Sequence, residues 1–277
     1  MGMGVLTRVL RSLGGEEALD RLARLSGSDL TTVLLALMRR RAGALSGPDV
    51  LRQYKADRFV GPAQVPFAVL RAVEDRLLGA LPPAFDVVGL APVVPLGTCS
   101  AVAEMDQNNV LSTIRGTEVA ADATNALALE AAVRRQACAD DVRLAAVQRV
   151  VRAQRFEGPG RFAHFTLFAA VTAGRDRGSL AFERQHFAEH VAFLREACGD
   201  VEVRVTVLDP RFEAVRGEFP ADPSRRTGYY QGLCYKVYLH GNEIGDGGFT
   251  DWTQRLTGNR KERLLISGVG VDRLATL

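Results

Sequence analysis

The chain has 277 residues, of which 47% are apolar and 24% are charged, a composition typical of a globular protein with a sizeable core. No apolar run approaches the roughly 20 residues that a membrane-spanning helix needs, and the N-terminus lacks the apolar region and cleavage site of a secretion signal. We therefore expect a cytoplasmic protein with no membrane partner. The net charge of +3 is too small to predict nucleic-acid binding.

The cysteines are widely separated, and none belongs to a C-x-x-C pair. This spacing argues against a zinc site built from cysteines and against a disulfide framework. Buried free thiols are the simplest interpretation. The cysteines are Cys99, Cys138, Cys198 and Cys234.

The first 61 residues predict a helical extension. Apolar residues recur at helical spacing from Leu6 to Leu13 and from Leu19 to Leu25. Ser28 or Asp29 is expected to begin a further helix that Gly43 ends.

The remaining residues, 62–277, alternate between groups of strands and single helices. Predicted helices cover 66–81, 120–137, 180–197 and 249–257. Predicted strands cover 85–94, 146–154, 162–171, 201–208, 229–239 and 264–270. Strands that follow each other directly favour an antiparallel sheet, so the predicted class is α+β rather than a doubly wound parallel sheet.

The hairpin formed by the second and third strands carries basic residues. Arg152 and Gln154 share one face because side chains alternate along a strand. Arg161 opens the returning strand after a glycine-rich loop. Guanidinium groups match the oxygens of phosphates, so this face is suited to a polyanion.

The last strand ends in two glycines and a charged pair. Gly268 and Gly270 are expected to form a tight turn that a ligand or another strand can approach closely. Asp272 and Arg273 follow at a strand-to-helix junction. A lone G-x-G pair is insufficient for a dinucleotide site, because the third glycine and the βαβ context are missing.

Taken together, these features resemble motifs 2 and 3 of class II aminoacyl-tRNA synthetases. Motif 2 matches the hairpin arginine followed by R-x-x-x-F (Arg161 to Phe165), and motif 3 matches G-x-G-x-D-R (268–273). Segments 112–124, 225–239 and 247–258 are similar to further segments of the histidyl-tRNA synthetase branch, in the same order. The resemblance covers about residues 62–277 and implies a class II catalytic domain with a short helical N-terminal extension over 1–61. The anticodon-binding domain of the family is not expected in this chain.

The resemblance implies that the hairpin and the last motif hold ATP. Arg152 would bind the α-phosphate and the carboxylate under activation. Arg273 would bind the γ-phosphate, and Phe165 would stack on adenine. Gln154 and Arg161 are assigned to the nucleotide as well. A magnesium ion is expected to bridge the phosphates, which makes ATP and Mg²⁺ the implied cofactors.

A second set of residues is assigned by resemblance to the activated substrate. Arg225 would lie at the reacting carboxylate. Glu118, Tyr229 and Tyr230 would line the pocket. Catalysis of this kind rests on positioning and on stabilising the charge that develops on phosphate. The implied substrate is an amino acid or a related small carboxylate.

Several positions depart from the histidyl pattern. Leu167 stands where the family has a glutamine that binds the histidine ring, Phe249 replaces an arginine, and Gly228 replaces an aspartate.

Because of these departures, two functions remain open. The first is a stand-alone ATP-dependent ligase that forms an adenylate, with an RNA or protein acceptor that the sequence does not identify. The second is a non-catalytic subunit that binds a small ligand and a partner enzyme, as the synthetase-like regulatory subunit of ATP phosphoribosyltransferase does. In both cases the resemblance implies a homodimer.

The segment HFAEH, from His186 to His190, fits the inverted zinc-protease pattern H-x-x-E-H. On a helix the two histidines would share a face, with Glu189 as a base. The pattern is short and no third ligand follows at a suitable spacing, so we predict an ordinary helix and no metal site.

Overall fold

The computed structural model describes residues 3–154, 162–222 and 228–277. The chain forms two units, one of residues 1–60 and 112–117 and the other of residues 61–111 and 118–277. Among the described helices, none is both long and apolar enough to cross a bilayer.

The first unit is helical. Its helices are α1 (Met3–Ser12), α2 (Glu16–Ala23), α3 (Gly27–Gly43) and α4 (Gly47–Ala56). The sequence predicted that α3 begins at Ser28 or Asp29, but its N-cap is Ser26. The Ser26 hydroxyl accepts a hydrogen bond from the Asp29 N–H at 3.1 Å. Helices α2, α3 and α4 bury none of their residues.

The second unit is built on a seven-stranded sheet in the order β1-β4-β5-β9-β8-β7-β6. Every neighbouring pair is antiparallel except β1 and β4. A separate pair is formed by β2 and β3. The strands are β1 (Asp86–Val87), β2 (Val93–Pro95), β3 (Thr117–Val119), β4 (Val142–Val151), β5 (His164–Arg175), β6 (Glu202–Val207), β7 (Tyr230–Leu239), β8 (Asn242–Thr250) and β9 (Glu262–Gly270). The predicted α+β class is confirmed.

Helices cover both faces of this sheet. They are α5 (Phe67–Gly79), α6 (Ala123–Ala137), α7 (Ala181–Cys198), α8 (Glu213–Arg216), α9 (Trp252–Thr257) and α10 (Val271–Leu274). Alternation along β5 divides the core, because Leu167 packs in the apolar cluster that contains α6 and Phe168 in the cluster that contains α7. Cys99, Cys198 and Cys234 are buried and Cys138 is exposed, and none of them forms a disulfide within the described residues.

Three local features differ from the sequence prediction. Strand β8 was not predicted, because its glycines lower strand propensity. They are needed for close packing, since a Cβ on Gly247 would lie 2.5 Å from the Ile266 carbonyl oxygen. Gly268 and Gly270 continue β9 and pair with β5 instead of turning. The predicted strand over 85–94 is divided into β1 and β2.

A buried ion pair joins α6 to β9. The Arg135 guanidinium donates to the Glu262 carboxylate through Nε at 2.9 Å and Nη2 at 3.2 Å. Its Nη1 donates to the backbone oxygens of Cys138 at 3.0 Å and Asp140 at 2.5 Å. The two side chains are only 1% and 3% exposed. The bidentate geometry with added backbone acceptors is the arrangement that makes a buried charge tolerable.

Candidate active site

A cavity of about 250 Å³ lies on the α6 face of the sheet, in the second unit. We call it the tyrosine cavity. Its walls come from strands that are distant in sequence but adjacent in the sheet, so the fold alone brings them together. The lining residues used below are Asp122, Thr124, Arg152, Phe165, Leu167, Tyr229, Tyr230, Glu243, Asp246, Ile266, Gly268, Gly270, Asp272 and Arg273.

Arg152 follows directly after β4 and is held in a fixed position. Its Nε donates to the Ala121 carbonyl at 2.9 Å and its Nη2 to Asp122 Oδ2 at 3.0 Å. The guanidinium also lies 5.2 Å from the centre of the Phe165 ring, where a cation is attracted to the ring face. Asp122 is itself fixed as the N-cap of α6, since its Oδ1 accepts from the Thr124 N–H at 2.9 Å. These contacts orient the arginine toward the cavity before any ligand binds.

The two tyrosines form an aromatic part of the cavity wall. The Tyr229 ring lies 4.6 Å from the Tyr230 ring and 4.9 Å from the Trp252 ring. The Tyr230 hydroxyl donates to Asp246 Oδ2 at 3.0 Å. Burial, reinforced by the Asp246 charge, raises the pKa of Tyr229. Tyr229 is therefore neutral at physiological pH and presents a hydroxyl.

The last turn of the chain closes one end of the cavity. Arg273 Nη1 donates to the Glu243 carbonyl oxygen at 2.7 Å, which connects α10 to β8. The Asp272 carboxylate is buried and accepts from the Thr166 N–H at 2.6 Å, with Arg149 Nη2 at 3.5 Å from its other oxygen. Buried hydrogen bonds thus fix Asp272 and place the neighbouring Arg273 in the cavity wall.

Gly268 and Gly270 leave the floor of the cavity open. A Cβ on Gly268 would meet nothing closer than the Leu167 side chain at 3.6 Å. A larger side chain at this position is therefore compatible with the strand and would occupy the cavity.

The electrostatics of the tyrosine cavity favour a ligand that carries both signs of charge. Its described carboxylates are Asp122, Glu243, Asp246 and Asp272, and its described guanidinium groups are Arg152 and Arg273. An amino-acid zwitterion suits this mixture, because its ammonium group pairs with carboxylates and its carboxylate with a guanidinium fork.

The structure brings together five of the residues that the sequence assigned to the site. Arg152, Phe165, Tyr229, Tyr230 and Arg273 all line the tyrosine cavity. Their roles toward a ligand stay predictions.

Three other assigned residues take no described part in the cavity. Gln154 is exposed and does not line it. Arg161 and Arg225 lie outside the described residues, so their predicted roles stay predictions.

Glu118 is not among the residues that line the tyrosine cavity, and its predicted role toward the substrate stays a prediction. Its buried carboxylate accepts hydrogen bonds from the N–H groups of Cys99 at 2.7 Å and Gly97 at 3.1 Å. Gln107 Nε2 adds a third at 3.0 Å. Burial raises the pKa of Glu118, but these hydrogen bonds outweigh burial and leave the pKa below its usual value. Glu118 therefore holds the backbone around Gly97 and Cys99.

Asp122, Thr124 and Asp246 are cavity residues that the sequence interpretation missed. Asp122 was detectable, because an aspartate directly before an alanine-rich helix is a typical N-cap, and helix starts are common places for polar recognition. Asp246 carried no local signal, since it lies in the glycine-rich strand that was not predicted.

The histidines of H-x-x-E-H are bonded to protein groups on both ring nitrogens. His186 contacts Glu189 and Asp141, each at 2.9 Å. His190 contacts Thr172 Oγ1 at 2.9 Å and Ser267 Oγ at 2.6 Å. No cluster of three potential metal ligands occurs among the residues that the structure describes. The segment is part of the buried face of α7.

Burial lowers the pKa of His190 from 6.5 to about 3. Between these two values the unfolded chain binds one proton more than the folded chain. The contribution of His190 to the free energy of unfolding is therefore fully present above about pH 6.5 and is lost as the pH falls, by up to about 1.4 kcal/mol per pH unit.

We expect His190→Gln, which keeps hydrogen-bonding capacity, to reduce this dependence of the free energy of unfolding on pH between pH 6 and pH 4, as measured by urea unfolding. His240→Gln, at an exposed turn, serves as the control, and an unchanged slope in His190→Gln would contradict the assignment.

Comparison with known proteins rests on structure, since no protein-family model matches the chain and no curated protein matches it in sequence. A protein described as an ATP phosphoribosyltransferase regulatory subunit/histidyl-tRNA synthetase from Bacillus halodurans superposes with a TM-score of 0.61 at 15% identity, covering 79% of this chain and 82% of its own. A histidine–tRNA ligase subunit from Alicyclobacillus acidocaldarius gives 0.59 at 14% identity, with 79% and 95% covered.

Pyrrolysyl-tRNA synthetase from Desulfitobacterium hafniense gives a TM-score of 0.56 at 15% identity, covering 82% of this chain and 73% of its own. At such identities the comparisons establish the fold and leave activity open. The predicted resemblance is confirmed at that level: the chain has the class II aminoacyl-tRNA synthetase-like core.

Proposed function

We propose that the protein activates an amino acid or a related carboxylate as an adenylate, using ATP. The observation that carries this proposal is the convergence, in one cavity, of Arg152 stacked near Phe165, the tyrosine pair and Arg273. These groups supply a guanidinium for a carboxylate or phosphate and an aromatic face for a base.

In the proposed reaction a carboxylate oxygen of the substrate attacks the α-phosphorus of ATP. The new O–P bond forms as the bond to the β-phosphate oxygen breaks, and pyrophosphate leaves with the electron pair. Arg152 would neutralise charge on the attacked phosphate, while Asp246 and Tyr230 would hold the substrate ammonium. Fixed hydrogen-bond donors at developing charge typically lower such barriers by several kcal/mol.

Magnesium is part of this proposal, and Asp272 and Glu243, which flank Arg273 in the cavity wall, would hold it. Mg²⁺ commonly uses one or two protein carboxylates together with substrate phosphates, and both side chains line the cavity. Glu243 also pairs with Lys236 Nζ at 3.1 Å. When bound, the ion would neutralise part of the negative charge on the phosphates.

Trapping with hydroxylamine tests the proposal directly. An adenylate reacts with hydroxylamine to release AMP and form a stable hydroxamate. We expect hydroxamate formation that requires both ATP and one particular carboxylate. ATP consumption that does not depend on any carboxylate would contradict adenylate formation.

A second candidate is a non-catalytic subunit that senses a small ligand and binds a partner enzyme. The excess of carboxylates over guanidinium groups in the described cavity favours it, because a triphosphate is repelled by such an excess. One structural neighbour is described as a regulatory subunit. Under this alternative, an amino acid would bind in the absence of ATP and no hydroxamate would form. An acceptor RNA or protein and a cytoplasmic location stay predictions.

We also propose a homodimer formed through an apolar patch on the second unit. Val87, Val93, Leu96 and Val133 are 37 to 63% exposed. Val93 and Val133 line a groove of about 510 Å³ together with residues 88–91, which follow Val87. Contiguous exposed apolar surface marks an interaction site.

We expect Val133→Lys to raise the dimer dissociation constant by about tenfold or more, because it places a charge in an apolar interface. Sedimentation velocity over a concentration series measures this. Leu277→Lys, at an exposed apolar position outside the patch, is the control. A dimer that tolerates Val133→Lys would exclude this surface.

A further inference from the structure

The part of the tyrosine cavity between its charged groups is apolar. In the order β4-β5-β9-β8, Leu167 on β5 and Gly268 on β9 lie between the strand that Arg152 follows and the strand that carries Asp246. Leu167 and Ile266 are buried and belong to the apolar cluster that contains α6. Because alternate residues of a strand face the same way, Gly268 lies on this face with Ile266. These three floor residues therefore offer a ligand no hydrogen-bonding side chain.

The Tyr230 ring lies beside this floor. A Cβ on Gly248 would be 2.6 Å from Cδ1 of the ring, so the ring packs directly against the Gly248 backbone. Gly248 is the cross-strand partner of Ile266, which places the ring next to Ile266. The Tyr229 ring, centred 4.6 Å from that of Tyr230, extends the aromatic surface. We call this part of the cavity the apolar corner, formed by Leu167, Ile266, Gly268 and the Tyr230 ring.

The charged groups come from strands on opposite sides of the apolar corner. Asp246 is the cross-strand partner of Gly268, and directly opposed side-chain positions of an antiparallel pair lie about 5 Å apart. Arg152 follows β4, on the far side of Leu167 in the strand order. An α-amino acid whose ammonium group binds Asp246 and whose carboxylate binds Arg152 therefore lies over the floor, with its side chain in reach of the apolar corner.

Size and desolvation limit that side chain. The whole cavity has a volume of about 250 Å³, below the roughly 300 Å³ at the lower end of typical small-molecule sites. Once the ammonium and carboxylate groups are accommodated, the remaining space suits a few carbon atoms. A polar side chain would lose its water without gaining a hydrogen bond from Leu167, Ile266 or Gly268, and this loss disfavours binding.

We infer that the tyrosine cavity selects an α-amino acid with a small aliphatic side chain, from the size of alanine to that of valine. Gly268 leaves the space for this side chain open, and Leu167 limits its depth. The inference rests on the proposed function, in that the ligand is an amino acid. It applies to both candidate functions, because an adenylating enzyme and a ligand-sensing subunit would each bind the amino acid.

Isothermal titration calorimetry of the full chain with amino acids, with and without a non-hydrolysable ATP analogue, tests this selectivity. Valine and threonine are the most informative pair, because they have nearly the same shape and differ by one hydroxyl group. We expect valine to bind about tenfold or more tightly than threonine, and phenylalanine and histidine to bind least. The inference is overturned if threonine binds as tightly as valine. It is also overturned if none of alanine, 2-aminobutyrate and valine binds at millimolar concentration.

Leu167→Ala tests the residue that limits the depth. The smaller side chain enlarges the apolar corner, so we expect the ratio of the affinities for leucine and valine to change about tenfold in favour of leucine. Leu264→Ala is the control, at a buried leucine of the same cluster that does not line the cavity, and it should leave the ratio unchanged. An unchanged ratio in Leu167→Ala, or an equal change in both variants, overturns the inference. The comparison of valine with threonine uses the wild-type protein and decides the question if Leu167→Ala does not fold.

These outcomes are distinct from those that test adenylation. Binding of valine without hydroxamate formation would contradict adenylate formation and leave the selectivity in place. Hydroxamate formation from another class of carboxylate, with no aliphatic amino acid bound, would overturn the selectivity and support adenylation.

Discussion

Replacing Arg135 with methionine is expected to lower the free energy of unfolding by about 3 kcal/mol, because it leaves the buried Glu262 carboxylate with only the exposed Arg175 guanidinium, 3.6 Å away, as a counter-charge. The pair is almost completely shielded from water, and the guanidinium also satisfies two backbone oxygens that follow α6. All of these partners are lost together. Urea unfolding followed by circular dichroism measures the change.

The neighbouring residue provides a matched control. Arg134 forms ion pairs with Asp86 and Glu130 at the surface, so Arg134→Met is expected to cost less than about 1 kcal/mol. The double variant Arg135→Met/Glu262→Leu is expected to recover much of the loss, because it removes both buried charges. An Arg135→Met protein within 1 kcal/mol of wild type would show that the pair is open to solvent.

The second large effect is expected in the tyrosine cavity. Arg152→Ala should lower the rate of adenylate formation by about 100-fold or more, which is the typical cost of removing a fixed donor at developing charge. Arg152→Lys keeps the charge but loses the planar fork that reaches Ala121 and Asp122, so it should restore only part of the rate. Rates of hydroxamate formation measure both variants.

Gly268→Val separates binding from folding at the same site. A Cβ at position 268 makes only ordinary contacts with β5, the nearest being Leu167 at 3.6 Å, and valine is a good strand former, so we expect the melting temperature to be retained. It should nevertheless block the ligand, because it occupies the floor of the cavity. A fully active Gly268→Val protein, or an Arg152→Ala protein with wild-type rates, would place the reaction elsewhere.

The sequence predicted most of the fold because its strands and helices carry clear periodicity. The valine alternation of β6 and the hairpin of β4 and β5 are examples, and both are present. The sequence did not predict strand β8, because its glycines are required where neighbouring strands approach closely. Local strand propensity carries no information about such packing. Gly268 and Gly270 pair with β5 although they were predicted to turn, because strand pairing is set by the neighbouring strands and not by local glycine content.

Arg152 and Arg273, which were assigned by resemblance, lie just beyond the ends of β4 and β9 and line the tyrosine cavity. Asp246 could not be identified from the sequence, because a strand pairing brings it to the Tyr230 hydroxyl. Glu118 was also assigned by resemblance. Its hydrogen bonds to the backbone N–H groups of Gly97 and Cys99 depend on the fold, and its role toward the substrate stays a prediction.

ATP–pyrophosphate exchange by the purified protein, measured across the standard amino acids and a few related carboxylates, tests adenylation most directly. We predict exchange with one of these substrates, and its loss in Gly268→Val. Absence of exchange with every substrate, together with undetectable ATP binding, would contradict an adenylating enzyme and favour the ligand-sensing subunit.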